Sequence, residues 1–202
     1  MTRTFISLEL NEALQQFLGD IISRAAVELP NMRWVDPAGI HLTLAFLGYL
    51  TDEQLKTALD AAQVAALQSV PFEYRLKGLG IFGSPQQPRV VWIGIEDLPS
   101  GKIQGSPIQH VHRVLSRELE LRGFELEKRP FSPHLTLARI KQPLSPDEKQ
   151  RLQRLLHSRL AGSSSAIYPV NTVCVMKSEL SRSGAKYTCL KESAFSKSNS
   201  FS

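Results

Sequence analysis

The chain has 202 residues, of which 42% are hydrophobic and 21% charged, and its formal net charge is +5. This length suits one large domain or two closely joined lobes, and the composition excludes a mostly disordered protein. No stretch approaches the roughly 18 apolar residues of a membrane span, and no secretory signal opens the chain, so we expect a cytoplasmic protein without a membrane partner. The positive charge favours an anionic partner, of which RNA is one, without identifying it.

Strands and helices alternate through the first half of the chain. Alternating polarity predicts the strands, and apolar residues at helical spacing predict the helices. In chain order the sequence predicts a strand over 3–9, a helix capped by Asn11 and ended by Pro30, an extended piece at 33–35, a strand over 40–47 ended by Gly48, a helix that begins at the capping box 51–54 and stops near Ser69, and a strand over 72–82.

The second half repeats this order of strand, long helix, strand, capped helix and strand. The predicted elements are a strand over 89–95, a helix with an apolar stripe from Ile108 to Leu119 that Gly123 ends, a strand over 131–140, a helix from the capping box 145–148 through Leu160, and a hairpin of 168–179 and 185–191. Because the order recurs, the chain is predicted to consist of two related halves.

The repeated order predicts an α+β fold with two pseudosymmetric lobes. Each lobe is an antiparallel sheet with outer helices, and the lobes face each other across a central cleft. We expect a single bilobal domain over 1–192, with approximate sequence halves 1–88 and 89–192, and a disordered Ser/Lys tail over 193–202. A monomer is expected, because one chain already supplies both halves.

A five-letter motif, HLTLA, occurs at 41–45 and again at 134–138. In a strand the His and Thr of each copy share one face, while the two leucines point to the other. A lone histidine on a strand is usually structural or merely exposed, but repetition in matching contexts favours a functional pair. Two such strands side by side would present two imidazoles and two hydroxyls around one point.

This set of groups suits acid/base chemistry on a phosphate. Opening a cyclic phosphodiester with water requires a base on the attacking side and an acid on the leaving side, and imidazoles near pKa 6.5 supply both forms. The hydroxyls of Thr43 and Thr136 are candidates to donate hydrogen bonds to the nonbridging phosphate oxygens, although strand propensity alone also explains a threonine there. The spacing does not decide which of His41 and His134 is the acid.

With these motifs the chain resembles the 2H phosphoesterases, specifically the bacterial and archaeal RNA 2′,3′-cyclic phosphodiesterases, also called 2′-5′ RNA ligases. The segments that carry the resemblance are 33–37, 41–48, 82–85, 132–139, 178–181 and 184–187. The resemblance implies the bilobal α+β fold and hydrolysis of a terminal 2′,3′-cyclic phosphate to a 2′-phosphomonoester, with reversible 2′-5′ ligation. It implies His41 as proton donor, His134 as proton acceptor, and RNA with cyclic phosphate ends, such as tRNA fragments, as substrate.

Three further residues are candidates for substrate binding. The family places a phosphate-contacting arginine just after the second motif, where this chain has Arg139. Simple alternation puts Arg139 on the opposite strand face from His134, so a bulge or the end of the strand must redirect it; otherwise it is a solvated cation. Phe82 and Phe46 are candidates to stack on a nucleobase, although core packing also explains them.

No zinc motif, cysteine cluster or ATP-binding motif is present, so we expect no metal and no nucleotide cofactor. Cys174 and Cys189 lie in two strands of the predicted hairpin and are expected to be reduced structural thiols near each other. The remaining histidines, His110, His112 and His157, are expected to be structural or on the surface.

Two alternatives to an RNA-end enzyme stay open. The first is a phosphodiesterase that acts on small cyclic nucleotides or cyclic phospho-sugars. The second is a non-catalytic RNA-binding module that uses the histidines only as phosphate ligands. Intact motifs in both halves disfavour the second alternative, whereas turnover on a mononucleotide would favour the first.

Overall fold

A computed structural model describes residues 1–98, 105–158, 166–181 and 184–196. Its elements are β1 (Thr2–Leu8), α1 (Glu12–Glu28), β2 (Arg33–Trp34), a 3₁₀ turn (Pro37–Gly39), β3 (Leu42–Leu50), α2 (Asp52–Leu67), β4 (Phe72–Gly83), β5 (Pro88–Asp97), α3 (Pro107–Leu121), β6 (His134–Arg139), α4 (Pro146–Leu156), β7 (Tyr168–Val170), β8 (Thr172–Ser181) and β9 (Gly184–Ala194). Within these ranges no helix is long and apolar enough to cross a membrane.

The strands form two antiparallel sheets, which confirms the predicted α+β fold. The first sheet has the order β3-β1-β8-β9 and the second the order β2-β6-β5-β4-β7. Helix caps act locally as predicted: Asn11, Thr51 and Ser145 each accept a hydrogen bond from a first-turn backbone N–H. The apolar stripes of α1 and α3 pack into a core shared with both sheets. The two motif strands belong to different sheets, because β3 is part of the first and β6 is part of the second.

The two sheets do not follow the two sequence halves. In the first sheet β8, from the second half, pairs with β1; in the second sheet β4, from the first half, pairs with β5. The halves thus exchange their last long strands, and the boundary between residues 88 and 89 falls at the β4–β5 hairpin. The exchange ties the two sheets together, because each sheet contains strands from both halves.

Several predicted strand boundaries are wrong, including the start of the second motif strand, which is His134 and not residue 131. The strand predicted to end at Gly48 continues to Leu50, because Gly48 adopts a φ of 72° at an irregularity in the β1–β3 pairing. The strand predicted over 168–179 is two strands, β7 and β8, which lie in different sheets. Side-chain alternation continues when the chain passes from one sheet to another, so the sequence pattern does not reveal the point of change.

The ends of two other predicted segments also differ. The predicted disordered tail begins too early: β9 continues to Ala194, and Phe195 is only 5% exposed, with its ring centroid 6.1 Å from that of Phe72. Residues 197–202 of that tail lie outside the described residues. Helix α4 ends at Leu156, earlier than predicted, and Leu160 lies outside the described part of the chain.

Candidate active site

The motif strands β3 and β6 lie next to each other although they belong to different sheets, with Cα atoms of the two strands within 8 Å. His41 immediately precedes β3, and His134 begins β6. Both copies show the same burial pattern: the His and Thr are partly exposed and the two leucines are buried. The predicted alternation of faces is therefore present in both strands.

His41 lies in an aromatic environment with one polar contact. Its ring stacks on Phe5 at 4.4 Å between centroids and meets the edge of Tyr187 at 4.9 Å. Its Nδ1 lies 2.9 Å from the Gly39 carbonyl oxygen. Because a carbonyl oxygen only accepts hydrogen bonds, Nδ1 carries the proton, and Nε2 is the nitrogen left for chemistry.

The pKa of His41 is lowered from 6.5 to about 4. Burial, which disfavours the charged imidazolium, is the main cause, and the positive charge of Arg139 adds to it. The hydrogen bond to Gly39 opposes both effects. His41 is therefore a neutral imidazole in the free protein at neutral pH.

His134 is held by the same local geometry. Its Nδ1 lies 2.7 Å from the carbonyl oxygen of Ser132, which is two residues earlier in the chain. Gly39 likewise lies two residues before His41. The ring meets the edge of Phe82 at 4.7 Å and a tilted Trp92 at 6.3 Å. The matching contacts leave Nε2 of both histidines available for proton transfer.

A bulge redirects Arg139. In the β5–β6 pairing, Val91 is opposite Ala138 but Trp92 is opposite Thr136, so Leu137 is an extra residue. Alternation breaks there, since Leu137 and Ala138 are both buried and Arg139 is exposed. The bulge returns Arg139 to the strand face of His134 and Thr136, and the positive charge of Arg139 contributes to the lowered pKa of His41.

The first motif strand contains the same irregularity. In the β1–β3 pairing, Ile6 is opposite Ala45 and Ser7 is opposite Thr43, so Leu44 is the extra residue. Phe46 then follows as an exposed side chain, five positions after its histidine, just as Arg139 does in the second copy. The two lobes thus present an aromatic ring and a guanidinium at equivalent positions.

A cavity of about 890 Å³ opens beside these strands. Four of the predicted site residues line it: Thr43, Phe46, Phe82 and His134. His41, Thr136 and Arg139 are not part of its lining. Phe46 and Phe82 are 58% and 37% exposed, so neither packs in the core.

Several residues at the site had no predicted role. Tyr187 and Phe5 contact His41, and Trp92 contacts His134. Tyr187 was visible only as part of the segment 184–187 that carries the family resemblance. His112, expected to be structural or on the surface, lines the cavity.

The remaining histidines and the two cysteines have contacts of their own. His110 and His157 contact the backbone carbonyls of Gln68 and Gln153. Among the described residues, Glu9, Cys174 and Cys189 place a carboxylate oxygen and two thiol sulfurs within 4.8 Å of one another, and the two cysteines are free thiols. The cysteines are thus near each other, as predicted.

Comparisons with known proteins find a matching family and named relatives. A profile of the family described as LigT like Phosphoesterase matches residues 8–92 and 104–187. A Geobacillus stearothermophilus protein named RNA 2′,3′-cyclic phosphodiesterase is 32% identical over 150 residues, which are 74% of this chain but 44% of that protein. A Methanothermobacter thermautotrophicus protein of the same name is 29% identical over 186 residues, covering 92% of this chain and 95% of the relative.

Solved structures show the same fold. A crystal structure of a Thermus thermophilus protein superposes with a TM-score of 0.77 at 28% identity and covers 96% of this chain and 97% of its own. The crystal structure of Escherichia coli LigT complexed with 3′-AMP has a TM-score of 0.68 at 24% identity, with 96% and 98% covered.

Proposed function

The chain belongs to the family of LigT-like phosphoesterases, and from this premise we propose that it is an RNA 2′,3′-cyclic phosphodiesterase. The reaction is hydrolysis of a terminal 2′,3′-cyclic phosphate to a 2′-phosphomonoester. The observation that carries the proposal is the pair of histidines, each held through Nδ1 by the carbonyl two residues before it, at the starts of adjacent strands. Such a pair supplies one base and one acid on two sides of a phosphorus atom.

In the proposed mechanism His134 is the base and His41 the acid. Nε2 of His134 accepts a proton from water as the water oxygen bonds to phosphorus. The bond between phosphorus and O3′ breaks, and Nε2 of His41 donates a proton to O3′, which leaves a 2′-phosphate. Thr43 and Thr136 donate hydrogen bonds to the nonbridging oxygens as negative charge develops there.

The low pKa of His41 sets a condition for this mechanism. A proton donor must hold its proton when the bond to O3′ breaks, whereas free His41 is neutral at neutral pH. The negative charge of a bound phosphodiester offsets the charge of Arg139 and favours the imidazolium. The proposed acid role therefore requires that the bound phosphodiester also outweigh burial, which is the main cause of the low pKa of His41. Arg139 binds the phosphate with a charge-assisted hydrogen bond.

Ring opening of an RNA oligonucleotide with a 2′,3′-cyclic end, in EDTA, tests the proposal. We expect a 2′-phosphate product, and losses of about 10²- to 10⁴-fold for His41→Ala and for His134→Ala. The control is His157→Ala, since the His157 ring contacts the Gln153 carbonyl oxygen of its own helix. No ring opening, a 3′-phosphate product, or opening unaffected by both substitutions would contradict the proposal.

The same chemistry extends to ligation. A 5′-hydroxyl that replaces water as the attacking group would form a 2′-5′ linkage, so RNA ends such as those of tRNA fragments are the proposed substrates for both hydrolysis and ligation. Rates on an oligonucleotide and on a nucleoside 2′,3′-cyclic phosphate distinguish an RNA-end enzyme from one that acts on small cyclic nucleotides.

Because one chain supplies both histidines, a monomer suffices, and specific activity should not depend on protein concentration.

A further inference from the structure

The segment that positions His134 has no regular secondary structure of its own. Residues 124–133, between α3 and β6, form neither helix nor strand. Ser132, whose carbonyl binds Nδ1 of His134, lies in this segment. The orientation of the His134 ring therefore depends on whatever holds 131–132 in place.

Helix α3 holds this segment through two side chains. The ring of His112 stacks on Phe131 at 3.9 Å between centroids and 4° between planes. Gln109 Nε2 donates a hydrogen bond to the Phe131 carbonyl oxygen at 3.4 Å. Gln109 and His112 are three residues apart and so lie on one face of the helix. Burial lowers the pKa of His112 and so favours the neutral form of the stacked ring.

The equivalent carbonyl next to His41 is held differently. Gly39 belongs to the 3₁₀ turn. Its own N–H donates a hydrogen bond to the Asp36 carbonyl oxygen, and the N–H of Ile40 donates one to the Pro37 carbonyl oxygen. Backbone hydrogen bonds thus fix the Gly39 carbonyl. The Ser132 carbonyl relies on a neighbouring helix, so a change in α3 should affect His134 and leave His41 unchanged.

We propose that His112 is a positioning residue for the catalytic base: by stacking on Phe131 it keeps the Ser132 carbonyl on Nδ1 of His134 and thereby aims Nε2 at the attacking water. This inference rests on the proposed role of His134. Misplacement of a catalytic group by about 1 Å costs up to 10²-fold in rate. The consequence is a loss in kcat without a matching change in KM.

Three variants test this role with the full chain and a cyclic-ended RNA oligonucleotide. His112→Ala should lower kcat by about 10- to 100-fold, and His112→Phe, which restores an aromatic stack, should recover most of the rate. His110→Ala is the matched control, because His110 lies on the same helix but contacts the Gln68 carbonyl. If His112→Ala fails to fold, Gln109→Ala is the alternative variant. It removes the hydrogen bond from the exposed Gln109 side chain to the Phe131 carbonyl oxygen and should lower kcat in the same way.

Nitrogen NMR of ¹⁵N-histidine-labelled protein provides a readout that requires no activity. In the unsubstituted protein neutral His134 should hold its proton on Nδ1, and in His112→Ala the two tautomers should mix while His41 keeps Nδ1–H. Unchanged kcat and unchanged His134 signals would overturn the inference. A change in KM alone would also overturn it and would make His112 a direct contact for RNA in the cavity. Absence of ring opening in every protein, with the NMR difference intact, would instead contradict the proposed function.

Discussion

Replacement of His41 by glutamine should remove a large part of the acid sensitivity of the fold. The pKa of His41 is about 4 in the folded protein and 6.5 when unperturbed, mainly because of burial. Between these values the unfolded chain binds more protons than the folded one, so the folded state loses stability as pH falls below about 6.5. No further loss is expected from this residue below about pH 4.

The size of the effect follows from the two pKa values. With a folded pKa of about 4, His41 destabilises the fold by about 2 kcal/mol at pH 5, compared with about 0.2 kcal/mol at pH 7. The full penalty, reached below the folded pKa, is about 3 kcal/mol. Groups other than His41 titrate in both proteins, so the difference between unsubstituted protein and variant isolates this residue.

Urea unfolding at pH 7.0 and pH 5.0 measures this difference. On going from pH 7.0 to pH 5.0, the free energy of unfolding of the unsubstituted protein should fall by about 2 kcal/mol more than that of His41→Gln. His110→Gln is the control for loss of an imidazole elsewhere, and it should follow the unsubstituted protein. Equal losses in the unsubstituted protein and in His41→Gln would refute the conclusion that burial suppresses the charge on this ring.

Three other predictions concern separate parts of the structure. Arg139→Gln should raise the pKa of His41 without restoring 6.5, because burial is the larger cause, and an NMR titration of the imidazole measures this shift. Gly80→Ala should destabilise the fold by about 1–3 kcal/mol in urea unfolding, since its Cβ would lie 2.2 Å from the Trp92 ring; full stability would mean that this ring moves freely. Ser145→Ala should cost about 1 kcal/mol by the same measurement, because it removes a capping box.

The local features of the fold were predictable because their causes act over a few residues. A cap such as Asn11 or Ser145 satisfies N–H groups within its own first turn. Alternation along the two motif strands reports which side chains face the core. The duplicated HLTLA motif, with the family resemblance, was therefore enough to propose both histidines and both threonines.

Features that depend on distant residues were not predictable in this way. The bulge that redirects Arg139 was required by the sequence argument, but its position at Leu137 appears only in the pairing with β5. His112 reads as a surface helix residue until α3 is packed against the segment that contains Phe131. Tyr187 reaches His41 only because β9 joins the sheet that contains β3.

The sequence by itself determined the paired motifs, the α+β class and the chemistry of two imidazoles with two hydroxyls. Only the tertiary structure decided that the halves exchange strands, and that the two motif strands become neighbours although they belong to different sheets. It also decided the proton affinity of His41, which is low because the folded chain surrounds this ring with apolar groups and brings Arg139 near it. Periodicity and caps are short-range effects, whereas strand pairing and desolvation depend on which distant segments meet.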